Sequence, residues 1–163
     1  MDQVTTSHST CRSAVVLFVD DDPDCRHLVR DAVALAEVGH EAHEFDSGPA
    51  ALEFLHRQGP HVGAPRPQLI YLDIEMPGMS GHEVLKRIKA DPDLRDIPVV
   101  ILSGANDARN GFEAARNGAA SFVVKGADAV AWAGEVTRTA RQWLGRRRNQ
   151  TGDMWTGSEV PNE

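Results

Sequence analysis

The sequence predicts an α/β protein built around one parallel sheet. Short apolar runs alternate five times with segments whose apolar residues recur at helical spacing. Continuous apolar, β-branched runs bounded by turn residues are typical of strands that are buried on both faces, as parallel strands are. The alternation therefore indicates five parallel strands covered by helices on both faces, with right-handed crossovers. A chain of 163 residues suits one such domain.

The elements can be placed along the chain from these patterns and from turn residues. Ser47 and the capping box formed by Ser80 and Glu83 indicate helix starts, whereas Gly39 and Gly118 are expected to end helices. The predicted strands are 14–19, 40–45, 68–73, 97–103 and 120–125. The predicted helices are 24–37, the segment from Ser47 to about Arg57, 81–90, about 107–117 and 128–145.

Composition and chain ends limit the classes of function. The net charge is −7, whereas a nucleic-acid-binding protein is usually basic because it neutralises phosphates. Cys11 and Cys25 are too few for a disulfide framework, and no apolar run is long enough to span a bilayer. We therefore expect a cytoplasmic protein that binds neither nucleic acid nor membrane. Residues 1–12 are predicted to be a flexible tail, 13–145 the domain, and 146–163 a polar tail rather than an output domain.

Charged or potentially reactive side chains stand at the ends of four of the predicted strands. They are Asp20, Asp21 and Asp22 after the first strand, Asp73 at the third, Ser103 at the fourth and Lys125 at the fifth. Ligands of parallel sheets bind beyond the carboxyl ends of the strands, so we expect these residues to meet at one edge. Crowded carboxylates raise one another's pKa, and a hard divalent cation such as Mg²⁺ relieves this repulsion. A lysine and a hydroxyl beside such an ion are suited to hold a phosphoryl group, and a carboxylate nucleophile would form an acyl phosphate.

Four motifs, in this order, resemble the receiver domain of bacterial response regulators: FVDDDPD, YLDIEMPGMSG, VVILSG and FVVK. The resemblance covers about residues 14–145. It implies a flavodoxin-like (βα)₅ fold, doubly wound, with strand order 2-1-3-4-5. It also implies a single-domain phosphorylation switch rather than an enzyme. A sensor histidine kinase would supply the phosphoryl group in a Mg²⁺-dependent reaction, and the output would be a protein contact.

The resemblance implies a role for each matching acidic residue. Asp73 matches the phosphoaccepting aspartate, which also binds the metal ion. Asp21 matches the direct Mg²⁺ ligand, and Asp20 its neighbour, which usually acts through water. Glu75 matches the position whose backbone carbonyl completes the metal site.

Three further positions match residues that respond to the phosphoryl group. Ser103 matches the switch hydroxyl, Lys125 the lysine that pairs with the phosphoryl group, and Phe122 the aromatic switch residue. The chain departs from the family at Gly126, where a proline after a cis peptide bond is usual. A cis bond before glycine costs several kcal/mol, so we expect a trans bond and a different loop shape.

Two stretches narrow the resemblance. GPHVGAPRP, a loop rich in Pro and Gly, and IKADPDLRDIPVVILS resemble stand-alone receivers that include those paired with phytochrome-type sensor kinases. This implies a kinase of that type as donor and a downstream partner or phosphotransfer protein as recipient. Of Trp132 and Trp143 on the last helix, one is expected in the core and the other at a partner or homodimer surface.

Two other functions are open on the sequence. FVDDDPD also fits the first motif of haloacid-dehalogenase-type phosphohydrolases, with Asp20 as nucleophile and Asp22 as acid. That hypothesis leaves Asp73 without a role and lacks a further acidic pair after a strand downstream of Lys125. The other is a degenerate receiver that acts as a phosphorylation-independent interaction module. The filled acidic, hydroxyl and lysine positions argue against it, and Gly126 keeps it open.

Overall fold

The apolar runs of the sequence form one parallel sheet between two layers of helices. The computed structural model describes residues 13–104 and 108–148, with side chains as far as residue 145. The strands are β1 (Ala14–Val19), β2 (His40–Phe45), β3 (Leu69–Asp73), β4 (Val99–Ser103) and β5 (Ser121–Val124). The helices are α1 (Pro23–Ala34), α2 (Gly48–Leu55), α3 (Gly81–Ala90), α4 (Ala108–Arg116) and α5 (Ala129–Arg148), with a short 3-10 helix at Gly59–His61.

The strand order is β2-β1-β3-β4-β5, and every neighbouring pair is parallel. This confirms the predicted doubly wound flavodoxin-like topology. Two of the three interior strands, β3 and β4, are fully buried, which explains why their sequences are continuous apolar runs. Among the described residues, no helix has the length and apolar character needed to cross a lipid bilayer.

Each face of the sheet has its own core. One core packs α2, α3 and α4 against side chains such as Leu72 and Ile101, and the other packs α1 and α5 against side chains such as Phe18. Trp132 is 8% exposed in the second core, as predicted for one of the two tryptophans of α5. The Tyr71 hydroxyl lies 2.9 Å from Thr139 Oγ1 in this core, so the buried polar groups of β3 and α5 satisfy each other.

Some element ends differ from the predictions. The helix α1 ends at Ala34, and Glu37, not Gly39, takes a positive φ of 57° after it. Ala36 is buried although it lies beyond the helix, so the apolar spacing continues past the true end. Helix α2 stops at Leu55, and Arg57 takes a φ of 54°.

At the other end of the chain, α5 continues three residues beyond the predicted end, to Arg148. The first three residues of the predicted C-terminal tail are therefore helical. The rest of that tail, and the N-terminal tail predicted for residues 1–12, lie outside the described residues.

Candidate functional site

The carboxyl ends of four strands bring the predicted site residues to one edge of the sheet. Asp73 ends β3 and is paired with Leu102, one residue before Ser103. Asp20 follows β1 directly, and Lys125 follows β5. Carboxylate oxygens of Asp20, Asp21 and Asp73 all lie within 4.8 Å of one another. Residues separated by more than 100 positions in the sequence therefore share one site.

Lys125 joins the two buried carboxylates of this site. Its Nζ lies 2.6 Å from Asp20 Oδ2 and 3.3 Å from Asp73 Oδ1. Asp20 and Asp73 are only 3% and 4% exposed, so water screens these ion pairs weakly. The ammonium group therefore neutralises part of the charge that the carboxylates carry.

The loop that carries Lys125 is held by backbone hydrogen bonds. Lys125 N donates to the carbonyl of Ser103 at 2.7 Å, and Gly126 N donates to the carbonyl of Val124 at 3.0 Å. A proline at 126 could not make the second bond because it has no N–H. The bond between Lys125 and Gly126 is trans, which confirms the expectation from the sequence.

Burial and charge shift the ionisation of the site. Burial, together with the nearby Asp20 carboxylate, raises the pKa of Asp73 from 3.8 to about 6, even though the charge of Lys125 opposes the rise. Burial by itself would lower the pKa of Lys125, but its hydrogen bond to Asp20 and the charges of both carboxylates outweigh burial and raise it. The site therefore holds one firmly charged cation and an excess of acidic groups.

The loop between β1 and α1 positions the acidic residues. Asp20 Oδ1 accepts a hydrogen bond from Asp22 N at 2.9 Å, and Arg26 Nη1 donates to the Asp20 carbonyl at 2.5 Å. Asp21 is exposed at the mouth of the site. Asp22 caps α1, where its carboxylate accepts from Asp24 N at 2.9 Å. Asp22 is thus engaged at the helix end, which does not favour the general-acid role of the phosphohydrolase hypothesis.

The loop after Asp73 is packed against the start of α3. Gly81 N donates to the carbonyl of Ile74 at 2.9 Å. A Cβ atom at Gly81 would lie 2.2 Å from the carbonyl oxygen of Asp73 and 2.7 Å from Ile74 Cα, so only glycine fits. The predicted capping box of Ser80 and Glu83 is present and fixes the start of α3 directly beside this contact.

Sequence reasoning missed two residues that shape the site, Gly81 and Arg26. Glycine is a poor helix former, so its place directly after the cap residue Ser80 was the available signal for Gly81. Nothing in the sequence marked Arg26, because its contact with the Asp20 carbonyl depends on how the loop folds.

The remaining predicted residues lie around the same edge. Ser103 is fully buried at the end of β4. The Glu75 side chain is exposed, and its backbone N–H hydrogen-bonds to the Asp73 carboxylate. Phe122 is half-buried in β5, beside Gly111 of α4. The structure thus brings Asp20, Asp21, Asp73 and Lys125 into direct proximity, with Ser103, Glu75 and Phe122 on the adjoining strands and loops.

The acidic cluster has the chemistry of a divalent-cation site. Among the described residues, Asp20, Asp21 and Asp73 form the one group of three potential metal ligands. Two of these carboxylates are buried, and burial raises the pKa of Asp73. A hard cation with oxygen ligands would favour the charged carboxylates and remove this penalty. The residues present therefore fit a divalent metal ion.

Comparisons with known proteins agree with this geometry. The family model described as the response regulator receiver domain matches residues 16–133. Response regulator Rcp1 of Synechocystis sp. is 40% identical over 93 residues, which cover 57% of this chain and 63% of Rcp1. The chain therefore spans less than two thirds of the length of this curated relative, and only 25% of response regulator protein FleR of Pseudomonas aeruginosa, which is 34% identical over 128 residues.

Solved structures show the same fold. The phosphorylated cyanobacterial phytochrome response regulator RcpA is 30% identical with a TM-score of 0.77, over 82% of this chain and 96% of RcpA. The Mn²⁺-bound form of Rcp1 is 31% identical with a TM-score of 0.75, over 80% of this chain and 94% of Rcp1. The strand order, the acidic cluster at the strand ends and the family match lead to one conclusion: this chain belongs to the response regulator receiver domain family.

Proposed function

We propose that this protein is a phosphorylation switch in which Asp73 accepts a phosphoryl group from a sensor histidine kinase in a Mg²⁺-dependent reaction. The observation that carries this proposal is the position of Lys125 Nζ, within 3.3 Å of Asp73 and 2.6 Å of Asp20. A lysine beside a buried carboxylate can neutralise charge on an incoming phosphoryl group. We infer a phosphoacceptor in the cytoplasm, rather than an enzyme that acts on a separate substrate.

The transfer step uses the Asp73 carboxylate as the nucleophile. One carboxylate oxygen attacks phosphorus, an O–P bond forms, and the P–N bond to the phosphohistidine breaks as the departing imidazole takes up a proton from solvent. Asp73 must be ionised to attack, yet burial raises its pKa to about 6. Lys125 opposes that rise through its charge, so it helps keep the nucleophile in the reactive form.

In this proposal the acidic residues would hold the metal ion. Asp21 and Asp73 would bind it through their carboxylates, Asp20 would act through water, and Glu75 would contribute its backbone carbonyl. Bound Mg²⁺ would supply positive charge to the phosphoryl oxygens during transfer. The choice of Mg²⁺ rests on the small number of carboxylates, because Mg²⁺ commonly keeps several waters and uses few protein ligands.

Phosphorylation would be communicated by residues beside Asp73. Ser103 and Lys125 are proposed to contact the new phosphoryl group, and Phe122 to change its packing in response. These contacts would bias a pre-existing equilibrium between two arrangements of α4, β5 and α5. The output would be a protein contact, with a downstream partner, a phosphotransfer protein or a second copy of the chain.

We propose a phytochrome-type kinase as the donor. The support is the similarity to Rcp1 and to RcpA, the latter a phytochrome response regulator. The kinase itself has to be identified by phosphotransfer from purified candidates, with rate compared among them.

Intact-protein mass spectrometry after incubation with acetyl phosphate tests the proposal. We expect a gain of one phosphoryl group with Mg²⁺ and none with EDTA. Asp73→Asn should show no gain, and Asp21→Asn should show a strongly reduced gain because it removes a metal ligand. Labelling of Asp73→Asn to the level of the unmodified protein would show that another residue is the acceptor.

A phosphorylation-independent interaction module is the second candidate, and Gly126 is the observation that favours it. Beryllofluoride, a stable mimic of the phosphoryl group, separates the two candidates. A Mg²⁺-dependent change in the amide spectrum on adding beryllofluoride would favour the switch. A lack of any change, together with a lack of phosphorylation, would favour the module.

A further inference from the structure

A groove lies between α3 and α4 on one face of the sheet. It encloses about 420 Å³, and its lining comes from Lys86 of α3 and from α4 and the residue after it: Arg109, Phe112, Glu113, Arg116 and Asn117. Phe112 is 71% exposed and lies among charged side chains in this groove. An aromatic side chain next to a groove can serve as an anchor for a second apolar side chain.

The charge of the groove is opposite to that of the whole protein. Lys86, Arg109 and Arg116 are basic, and Glu113 is the one acidic residue among the lining residues. Glu113 also lies 3.7 Å from His82 Nε2, on the α3 side. The protein as a whole carries a net charge of −7. An occupant with acidic groups around an aromatic or aliphatic residue would complement this surface.

The C-terminal segment of the same chain, residues 149–163, has this composition. Its sequence, NQTGDMWTGSEVPNE, contains three acidic residues and no lysine, arginine or histidine. Trp155 and its neighbour Met154 are the large apolar residues among them. Tryptophan is one of the side chains enriched at the energetic centres of interfaces.

The topology allows this segment to reach the groove. Helices α4 and α5 flank the same edge strand β5: Gly111 of α4 lies against Phe122, and Trp143 Nε1 of α5 lies 3.3 Å from Ser121 Oγ. Each helix runs opposite to the parallel strands, so both helices end at the same edge of the sheet.

The length of the segment is sufficient. The seven residues from Arg148 to Trp155 span up to about 25 Å when extended. The axis of a helix lies about 10 Å from the sheet on which it packs, so the helices on the two faces of a sheet lie roughly 20 Å apart. Arg148 lies a further five residues, or about 8 Å, past Trp143 along α5, so the straight distance to be covered is about 22 Å. A nearly extended segment therefore brings Trp155 past the edge of β5 to Phe112.

We propose that residues 149–163 dock in the α3–α4 groove of their own chain, with Trp155 against Phe112 and the acidic residues beside Lys86 and Arg116. The docked segment covers the exposed face of α4, the helix that follows Ser103. A partner that binds this face of α4 has to displace the segment first. Docking in the unphosphorylated protein does not rest on the proposed role of Asp73 as phosphoacceptor.

Paramagnetic relaxation in the 163-residue chain tests the docking. A nitroxide on Ser158→Cys, in a chain that carries Cys11→Ser and Cys25→Ser, should broaden the amides of α3 and α4 near Lys86 and Phe112. Tethering through a short linker gives a millimolar effective concentration, so even weak docking should remove about half of the peak height. The amides of α1, on the opposite face of the sheet, should keep theirs.

Charge reversal in the groove provides the decisive comparison. Lys86→Glu with Arg116→Glu should restore the peak heights, whereas Arg95→Glu with Arg138→Glu, which changes the net charge equally outside the groove, should not. Mixing spin-labelled chains with ¹⁵N-labelled, nitroxide-free chains should cause no broadening, because the contact is within one chain. Broadening in the mixture, broadening that survives the groove reversal, or none near Phe112 would each overturn the proposal.

Discussion

Replacing Asp73 by Asn should stabilise the metal-free protein at neutral pH, although it removes the proposed phosphoacceptor. Asp73 is 4% exposed, and burial raises its pKa from 3.8 to about 6. Each pH unit between these values corresponds to about 1.4 kcal/mol, so the ionised carboxylate costs up to about 3 kcal/mol of stability at pH 7.5. The attraction of Lys125 is already contained in this net value. Asparagine has nearly the same shape and avoids the cost.

The sign of the pH dependence follows from the same values. Between pH 3.8 and about 6 the folded protein binds more protons at Asp73 than the unfolded chain does. The contribution of this residue to stability therefore falls as pH rises through that interval and is constant above it. The advantage of Asp73→Asn should grow from pH 4 to pH 7 and then level off.

Urea unfolding in EDTA at several pH values measures this difference. Asp31→Asn removes one negative charge from an exposed position of α1 and serves as the control for net charge. Added Mg²⁺ should stabilise the unmodified protein more than Asp73→Asn, because a ligand that binds only the folded state stabilises it. A variant that is less stable than the unmodified protein at pH 7.5, or an advantage independent of pH, would refute the electrostatic account of the site.

Three further substitutions test other parts of the structure. Lys125→Ala should keep Mg²⁺ binding, measured by calorimetry, but weaken the spectral response to beryllofluoride, and a full response would count against the proposed role of the lysine. Gly81→Ala should destabilise the protein by about 1–3 kcal/mol in urea and slow phosphorylation, because its Cβ would collide with the Asp73 carbonyl; unchanged stability and rate would contradict this close packing. Tyr71→Phe should lower the free energy of unfolding in urea by about 1 kcal/mol, because it removes the hydrogen bond to Thr139, and it should leave phosphorylation unchanged. A phosphorylation defect in this variant would show that the contact between Tyr71 and α5 affects the acidic site.

The order of the elements and the residues at the strand ends could be predicted from the sequence. Strand burial is recorded in short apolar runs, and the caps Ser47 and Ser80 act within three residues, so both signals are local. Because parallel strands present their carboxyl ends together, these local signals also predict that Asp73 and Lys125 share one edge of the sheet. The individual roles of these residues stay predictions.

Other features depend on contacts that form only in the folded chain. Helix α1 ends at Ala34, rather than near Gly39, and Ala36 is buried in the core beyond the helix end. Lys125 pairs with Asp20 and Asp73, which lie 105 and 52 residues earlier in the chain, and the raised pKa of Asp73 comes from its burial and from Asp20. The lack of space at Gly81 arises because the start of α3 folds back on the end of β3. Burial and Coulomb interactions depend on distances in the folded protein, and only the packed sheet sets those distances.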